Sequence, residues 1–232
     1  MSANSIKTLQ PLRAGVLLIA LCLIGSVLPD RFVHVLQYDR AAILSGEAWR
    51  LWSGHFVHLS TEHMAANALA LGLLAAMIAA YGHAKKLVHY TLLGAPVISL
   101  GLVYLAPNMA VYRGASGLVT LYFVLVCCLV WQNSSPYLRG PMVMLTLAAI
   151  LKLVLDTEKT EAGMGLITTL PTGVQIAWQA HLLGAMLGLA VFVLSKITPL
   201  WQIACTYWRA KAGWISRTVI AAWRGYREGD SY

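Results

Sequence analysis

Apolar residues come along this chain in long blocks rather than in alternation, and turn-forming or charged residues close each block. Blocks of about 15–20 apolar residues are near the length at which a helix crosses the hydrocarbon core of a bilayer. The first spans residues 14–28 and stops at Pro29-Asp30. The second, 63–81, is ended by Gly82 and His83-Ala84-Lys85-Lys86, and the third, 87–105, reaches Pro107-Asn108. The fourth, 116–131, is closed by Gln132-Asn133-Ser134-Ser135-Pro136. The fifth, 141–155, carries Pro141 in its first turn, where a missing N–H is tolerated. The sixth, 174–197, ends before Thr198-Pro199. Residues 29–62 are polar to amphipathic, with Leu51, Trp52, Phe56, Val57 and Leu59 as an apolar side, which fits a segment lying in the membrane interface. Residues 156–173 form a charged loop with Gly163, Gly165, Pro171 and Gly173.

Composition turns these blocks into spans. Of 232 residues 59% are hydrophobic and only 11% charged, more apolar surface than a soluble domain of this size can hide. The expected fold is all-α: a polytopic membrane protein with a six-transmembrane-helix bundle over residues 14–197, a short N-terminus over 1–13, and a basic aromatic, amphipathic tail over 198–232. The first block rises only roughly 22 Å as a helix, so it needs Leu12 or a thinned bilayer to span. With Gly25 and Ser26 near its end it also has the form of a signal peptide; the retained helix is the reading adopted.

The net charge of +8 would point to nucleic acid in a soluble protein. Here the basic residues sit at segment ends and in the tail. Lys7, Arg13, Lys85, Lys86, Arg139, Lys196, Arg209, Lys211, Arg217, Arg224 and Arg227 all fall on the side of the termini. Asp30, Asp39, Glu47, Glu62, Asp156, Glu158 and Glu161 fall on the other. The positive-inside rule then places both ends in the cytoplasm, and the tail reads as a helix on the inner leaflet, not as a nucleic-acid patch. Cys22, Cys127 and Cys128 lie in apolar blocks and Cys205 in the tail, which argues against a disulfide framework or a zinc motif.

Three polar islands break the apolar pattern. Tyr112-Arg113-Gly114-Ala115-Ser116-Gly117 stands at the entrance to the fourth span; His58, His63 and Asn67 open the second; Ala180-His181-Leu182-Leu183-Gly184 interrupts the sixth. Ser116 lies only about 16 residues, roughly 24 Å, from the cytoplasmic end of its span, hence below the outer surface. His181 is about seven residues, roughly 10 Å, into its own span, at a matching depth. A serine hydroxyl is a poor nucleophile at neutral pH, but a histidine in hydrogen-bond reach can take its proton during attack and return it to a leaving amine. Gly114 and Gly117 beside the serine, and Ala180, Gly184 and Gly188 beside the histidine, allow the two helices to approach closely, although such stripes also serve plain packing. His63 and Asn67 share a helix face, and His58 can fold over it; donors there, with the Ser116 amide, would form an oxyanion hole. Interfacial polar packing is the bland alternative for these histidines. A metal site at His55, His58 and His63 is the weaker reading, since no carboxylate or cysteine shares the spacing and Asn67 is a poor ligand. No metal and no cofactor are expected. No third triad member stands out, so a Ser–His dyad is the economical reading.

At these residues the chain resembles the rhomboid family of intramembrane serine proteases. Trp49-Arg50, His58, His63 and Asn67 keep that family's spacing; Gly114-Ala115-Ser116-Gly117 is similar to its GxSG motif; Ala180-His181-Leu182-Leu183-Gly184 with Gly188 is similar to its AHxxGxxxG motif. The resemblance implies Ser116 as nucleophile, His181 as base, and His63, Asn67 and the Ser116 amide at the oxyanion. It also implies a supporting role for His58 and a scaffold role for Trp49-Arg50. Many rhomboids carry a tyrosine four residues after the serine; this chain has Thr120 there, with Tyr122 expected on another face, so what orients His181 is open.

The compact core, Ser53-Gly54-His55-Phe56-Val57-His58 and Ala149-Ile150-Leu151-Lys152-Leu153 further resemble the rhombosortases. That likeness implies an integral protein of the bacterial inner membrane whose site opens to the periplasmic side. Its substrates would be secreted proteins with a C-terminal tail made of a glycine-rich motif, a transmembrane helix and a basic end. The tail helix would dock between the second and fifth spans, with loop 156–173 as a lid. The bilayer is the other partner, and a phospholipid headgroup amine is an alternative acceptor for the acyl group. Three rival readings are a general rhomboid protease of single-span proteins, a non-catalytic rhomboid-like chaperone, and a small transporter. The chain lacks the repeated halves of the last.

Overall fold

The computed structural model describes residues 3–133, 136–158 and 177–197. Helix α1 (Ala3–Val27) leads to three short outer helices, α2 (Asp30–Leu36), α3 (Arg40–Leu44) and α4 (Arg50–Ser53). Long helices follow: α5 (Thr61–Ile78), α6 (Lys86–Leu105), α7 (Ser116–Asn133), α8 (Pro136–Glu158) and α9 (Trp178–Ile197). Two short strands, β1 (Tyr38–Asp39) and β2 (Val111–Tyr112), pair antiparallel with Tyr38 opposite Tyr112.

Among the described residues four helices are long and apolar enough to cross a membrane: Thr61–His83, Lys86–Leu105, Ser116–Asn133 and Trp178–Ile197. Gly15–Val27 and Pro136–Leu151 are shorter apolar helices. Burial along α5 shows why these helices belong in lipid. Leu71 and Ala75 are 0% exposed while Leu69 and Leu73, on the opposite face, are 74% and 61% exposed. Both faces are apolar, and only a hydrocarbon solvent makes the outer one stable. The chain is an all-α polytopic membrane protein.

The helix limits differ from expectation where hydrogen bonding, not polarity, sets them. Helix α1 starts at Ala3, eleven residues before the apolar boundary, because the ladder does not stop where side chains become polar. Helix α8 starts at Pro136, so Pro136 takes the first-turn position expected for Pro141, which lies inside the helix. Helix α5 starts at Thr61, where the Ser60 hydroxyl accepts the His63 amide at 3.2 Å. It runs on through a π-turn, Ala79–His83, with Gly82 at φ +82°.

The expected lid, the first residues of the sixth span (174–176) and the tail 198–232 lie outside the described residues, apart from Asp156–Glu158, which close α8. Two compact units divide the chain, Met1–Ala190 and Val191–Tyr232. The polar islands all fall in the first. The described part of the second is Val191–Ile197, the last turns of α9.

Helix α1 packs along α5 through small residues, with Gly15 against Gly72 and Ala75. The core between α5, α6 and α7 holds Leu71, Ile78, Ile98, Leu102, Leu118, Leu121 and Tyr122, each at most 1% exposed. Tyr122 turns its hydroxyl to α6, to Thr91 Oγ1 at 2.6 Å and the Leu87 carbonyl at 3.2 Å.

Candidate active site

The outer segment 29–60 forms a framework around the turn that precedes Ser116. Arg50, 7% exposed, binds the Glu47 carboxylate at 2.7 Å and donates to the carbonyls of His34 (2.7 Å) and Gln37 (2.9 Å). Trp49 Nε1 donates to the Val35 carbonyl at 3.2 Å and the Ser53 hydroxyl to that of Leu36 at 2.6 Å. Trp49-Arg50 is therefore scaffold, tying α2 to α4. The framework then grips the turn. Arg113 Nε donates to Gln37 Oε1 at 2.7 Å, the Arg40 amide to the Ala110 carbonyl at 2.9 Å, and the Gly114 amide to the Gly54 carbonyl at 3.1 Å. Gly114 has φ +134°, a conformation open to glycine and strained for any side chain. That bend lets the chain leave β2 and enter α7 with Ser116 as the first helical residue.

Helix α5 brings His63 and Asn67 to the same turn. A Cβ on Gly114 would lie 2.7 Å from His63 Cε1, 3.0 Å from His63 Nε2 and 3.6 Å from Asn67 Nδ2. Asn67 is 6% exposed, and among the described residues neither its Nδ2 nor His63 Nδ1 has a hydrogen-bond partner. His58 stands edge-on to His63, ring centroids 5.2 Å apart at 82°, as the fold-over reading expects. An unsatisfied buried polar group costs about 1–3 kcal/mol. The Asn67 amide and the His63 ring edge, both against the Gly114 turn, make a polar recess suited to a hydrogen-bond acceptor.

Helix α9 lies against α7 through the small residues of the third island. A Cβ on Gly117 would sit 3.1 Å from the Ala180 carbonyl oxygen. One on Gly184 would collide with the Gly117 carbonyl oxygen and come within 3.2 Å of the Leu121 amide. One on Gly188 would lie 2.7 Å from the Leu121 carbonyl oxygen. The backbones of Gly117 and Ala180–Gly184 thus touch, and Ser116 and His181 are the chain neighbours of that contact. Both are half-buried.

A different serine and histidine make direct side-chain contact: His55 Nε2 lies 3.0 Å from Ser99 Oγ. The pair has the atoms of a catalytic dyad, but its bonding differs. His55 Nε2 is also 3.0 Å from the Ala95 carbonyl, which can only accept, so this nitrogen carries the proton. Ser99 donates its own proton to the Leu51 carbonyl at 2.9 Å. Both residues are 0% exposed. Nε2 in this tautomer cannot take the serine proton, and the pair instead fastens the outer segment to α6. The same bonds remove His55 Nε2 from the three-histidine metal reading.

Burial pushes the His55 imidazole down to about 4 and the His58 imidazole down to about 3, the latter helped by repulsion from His63 and His55. Both histidines are neutral when folded and take up a proton on unfolding once the pH drops below about 6.5. Since the unfolded chain binds more protons, their contribution is full above pH 6.5 and is lost as the pH falls towards 4, by about 1.4 kcal/mol per pH unit for each. Thermal melting in detergent is expected to drop between pH 6.5 and 4.5, and a His55→Gln variant to show a shallower slope.

Two polar partners escaped the sequence reading. Ser99 lies one helical turn after Ala95 on the face that meets His55, but a serine in an apolar span has many uses. Tyr112 opens the serine motif, where its residue type alone signals no role. Its hydroxyl lies 3.4 Å from Ser116 Oγ, a contact created by the strand pairing that precedes α7. Thr120 Oγ1 donates to the Ser116 carbonyl at 2.9 Å.

Comparison with known proteins agrees with this geometry. The model of the rhomboid domain matches residues 45–196, more than half of the chain, and that range contains all three islands. No curated protein matches the sequence. The chain therefore belongs to the rhomboid family, within the intramembrane protease superfamily.

Proposed function

We propose that the chain is an intramembrane serine endopeptidase in which Ser116 is the nucleophile and His181 the general base. The observation that carries this reading is the polar recess at Gly114: His63 Nε2 and the Asn67 amide, the latter without a partner among the described residues, stand against the turn that leads into Ser116. Ser116 Oγ attacks the scissile carbonyl carbon while its proton passes to His181. The carbonyl oxygen becomes an oxyanion, held by the Ser116 amide, His63 and Asn67, with His58 backing His63. Collapse breaks the C–N bond, and the proton on His181 leaves with the new amine. Water then attacks the acyl-enzyme, giving one proton to His181 as the C–Oγ bond breaks, and that proton restores the serine hydroxyl. An amine headgroup in place of water would give transpeptidation through the same intermediate.

Losing one donor aimed at an oxyanion lowers kcat by about 100-fold or more. Asn67→Ala is expected to show that loss with KM little changed, measured on a membrane-anchored substrate.

The substrate class we favour is the rhombosortase one: a glycine-rich motif, a transmembrane helix and a basic end, cut near the outer face. Support comes from Ser53-Gly54-His55-Phe56-Val57-His58 and Ala149-Ile150-Leu151-Lys152-Leu153. Glycines beside a membrane helix unwind easily and offer the extended backbone that a nucleophile below the surface requires. This reading has six spans with both termini in the cytoplasm, the tail 198–232 on the inner leaflet and loop 156–173 as a lid. Co-expression with a tailed substrate tests it. Wild type should yield a shortened C-terminus by mass spectrometry, with the added mass of a headgroup if transpeptidation occurs, and Ser116→Ala an intact tail. Equal cutting of a single-span substrate without the glycine motif would favour a general rhomboid protease.

A further inference from the structure

We propose that Tyr112 is a positioning residue for the Ser116 hydroxyl, its phenol donating to Oγ so that the serine proton is left to point at the base; this rests on the reading of Ser116 as nucleophile. A serine hydroxyl rotates freely among its staggered positions, and only some of them aim its proton at an imidazole on a neighbouring helix. A donor that occupies an Oγ lone pair from a fixed direction narrows that choice.

Tyr112 is built to be such a donor. It is 6% exposed and its backbone is fixed opposite Tyr38 in the strand pair. Its ring is held edge-on by Tyr38, centroids 6.4 Å apart at 80°, and by His55, 5.7 Å apart at 72°. His55 is itself locked by Ala95 and Ser99, so the chain of support runs from α6 to the nucleophile. The Tyr112 hydroxyl lies 3.4 Å from Ser116 Oγ, a contact across which either oxygen can donate, and the proposed role assigns the proton to the phenol. Burial raises the phenol above its ordinary value and keeps it protonated across the working pH range. The role is hydrogen bonding alone, and no proton changes hands.

The other polar side chains near Ser116 along α7 have different tasks. Thr120 Oγ1 bonds to the Ser116 carbonyl and Tyr122 bonds across to Thr91 and Leu87. The support comes from before the serine, from a strand, where Thr120 supplies none from the turn after it.

Tyr112→Phe keeps the ring and removes the hydroxyl. The test compares wild type, Tyr112→Phe and Ser116→Ala as purified full chains in detergent. It reads three things: the rate of Ser116 labelling by a fluorophosphonate, kcat and KM on a membrane-anchored substrate, and the melting temperature. Labelling and kcat should fall about three- to tenfold in Tyr112→Phe, the span of one ordinary hydrogen bond, with KM and melting unchanged. Labelling at the wild-type rate would overturn the inference. A slowing matched by a clear drop in melting temperature would also overturn it, since Tyr112 would then be only structural. If wild type is neither labelled at Ser116 nor active, the nucleophile reading itself fails, and the Tyr112 role with it.

Discussion

Ser116→Ala is expected to lower cleavage by about 10⁴-fold or more while the protein melts as wild type does. The hydroxyl is small and half-buried, so its removal leaves the helix start intact, and the Gly114 bend and the bonds that Arg113 and Gly114 donate to Gln37 and Gly54 remain. His181→Ala should cost about as much, because a serine without a base is a poor nucleophile at neutral pH. The double variant should be no worse than either single one, as the two groups act as a unit. Ser99→Ala gives the contrast. It should lower stability through loss of the bonds to His55 and Leu51 and leave a turnover far above that of Ser116→Ala.

Gly184→Ala is the second large effect. The added methyl would collide with the Gly117 carbonyl oxygen, which belongs to the backbone and cannot rotate away. Overpacking of this kind typically costs about 1–3 kcal/mol. Its catalytic effect should exceed the loss in stability. Helix α9 must back away from α7 next to Ser116 and His181, the proposed reacting groups, and a displacement of about 1 Å at reacting groups can lower the rate about 100-fold. The expected result is a modest fall in melting temperature with kcat down about 100-fold. Gly140→Ala, in α8 with open space around its Cβ position, should change neither.

The sequence carried much of this in its polar exceptions. In an apolar chain a serine between glycines, a histidine among small residues, and a histidine and asparagine four apart stand out because lipid penalises each unless it has a use. The depth argument followed from helix rise alone, and small residues were the sign of the contact that Gly117 makes with Ala180 and Gly184. Helix ends were less legible, since hydrogen-bond ladders at α1 and α8 run past the apolar limits. The grip of the outer segment on the serine turn was not legible at all. Tyr38 opposite Tyr112, Gly54 to Gly114 and Gln37 to Arg113 join residues about 60–76 positions apart, and no local pattern encodes such pairings. His55 shows the same limit: the sequence grouped it with His58 and His63, whereas the fold sends its ring to Ser99.

Mapping a fluorophosphonate adduct by peptide mass spectrometry, on wild type and on His181→Ala side by side, bears most directly on the central claim. The adduct should sit on Ser116 in the wild-type protein and be all but lost when the imidazole on α9 is removed. An adduct on Ser99, or one on Ser116 that forms equally fast without His181, would contradict it.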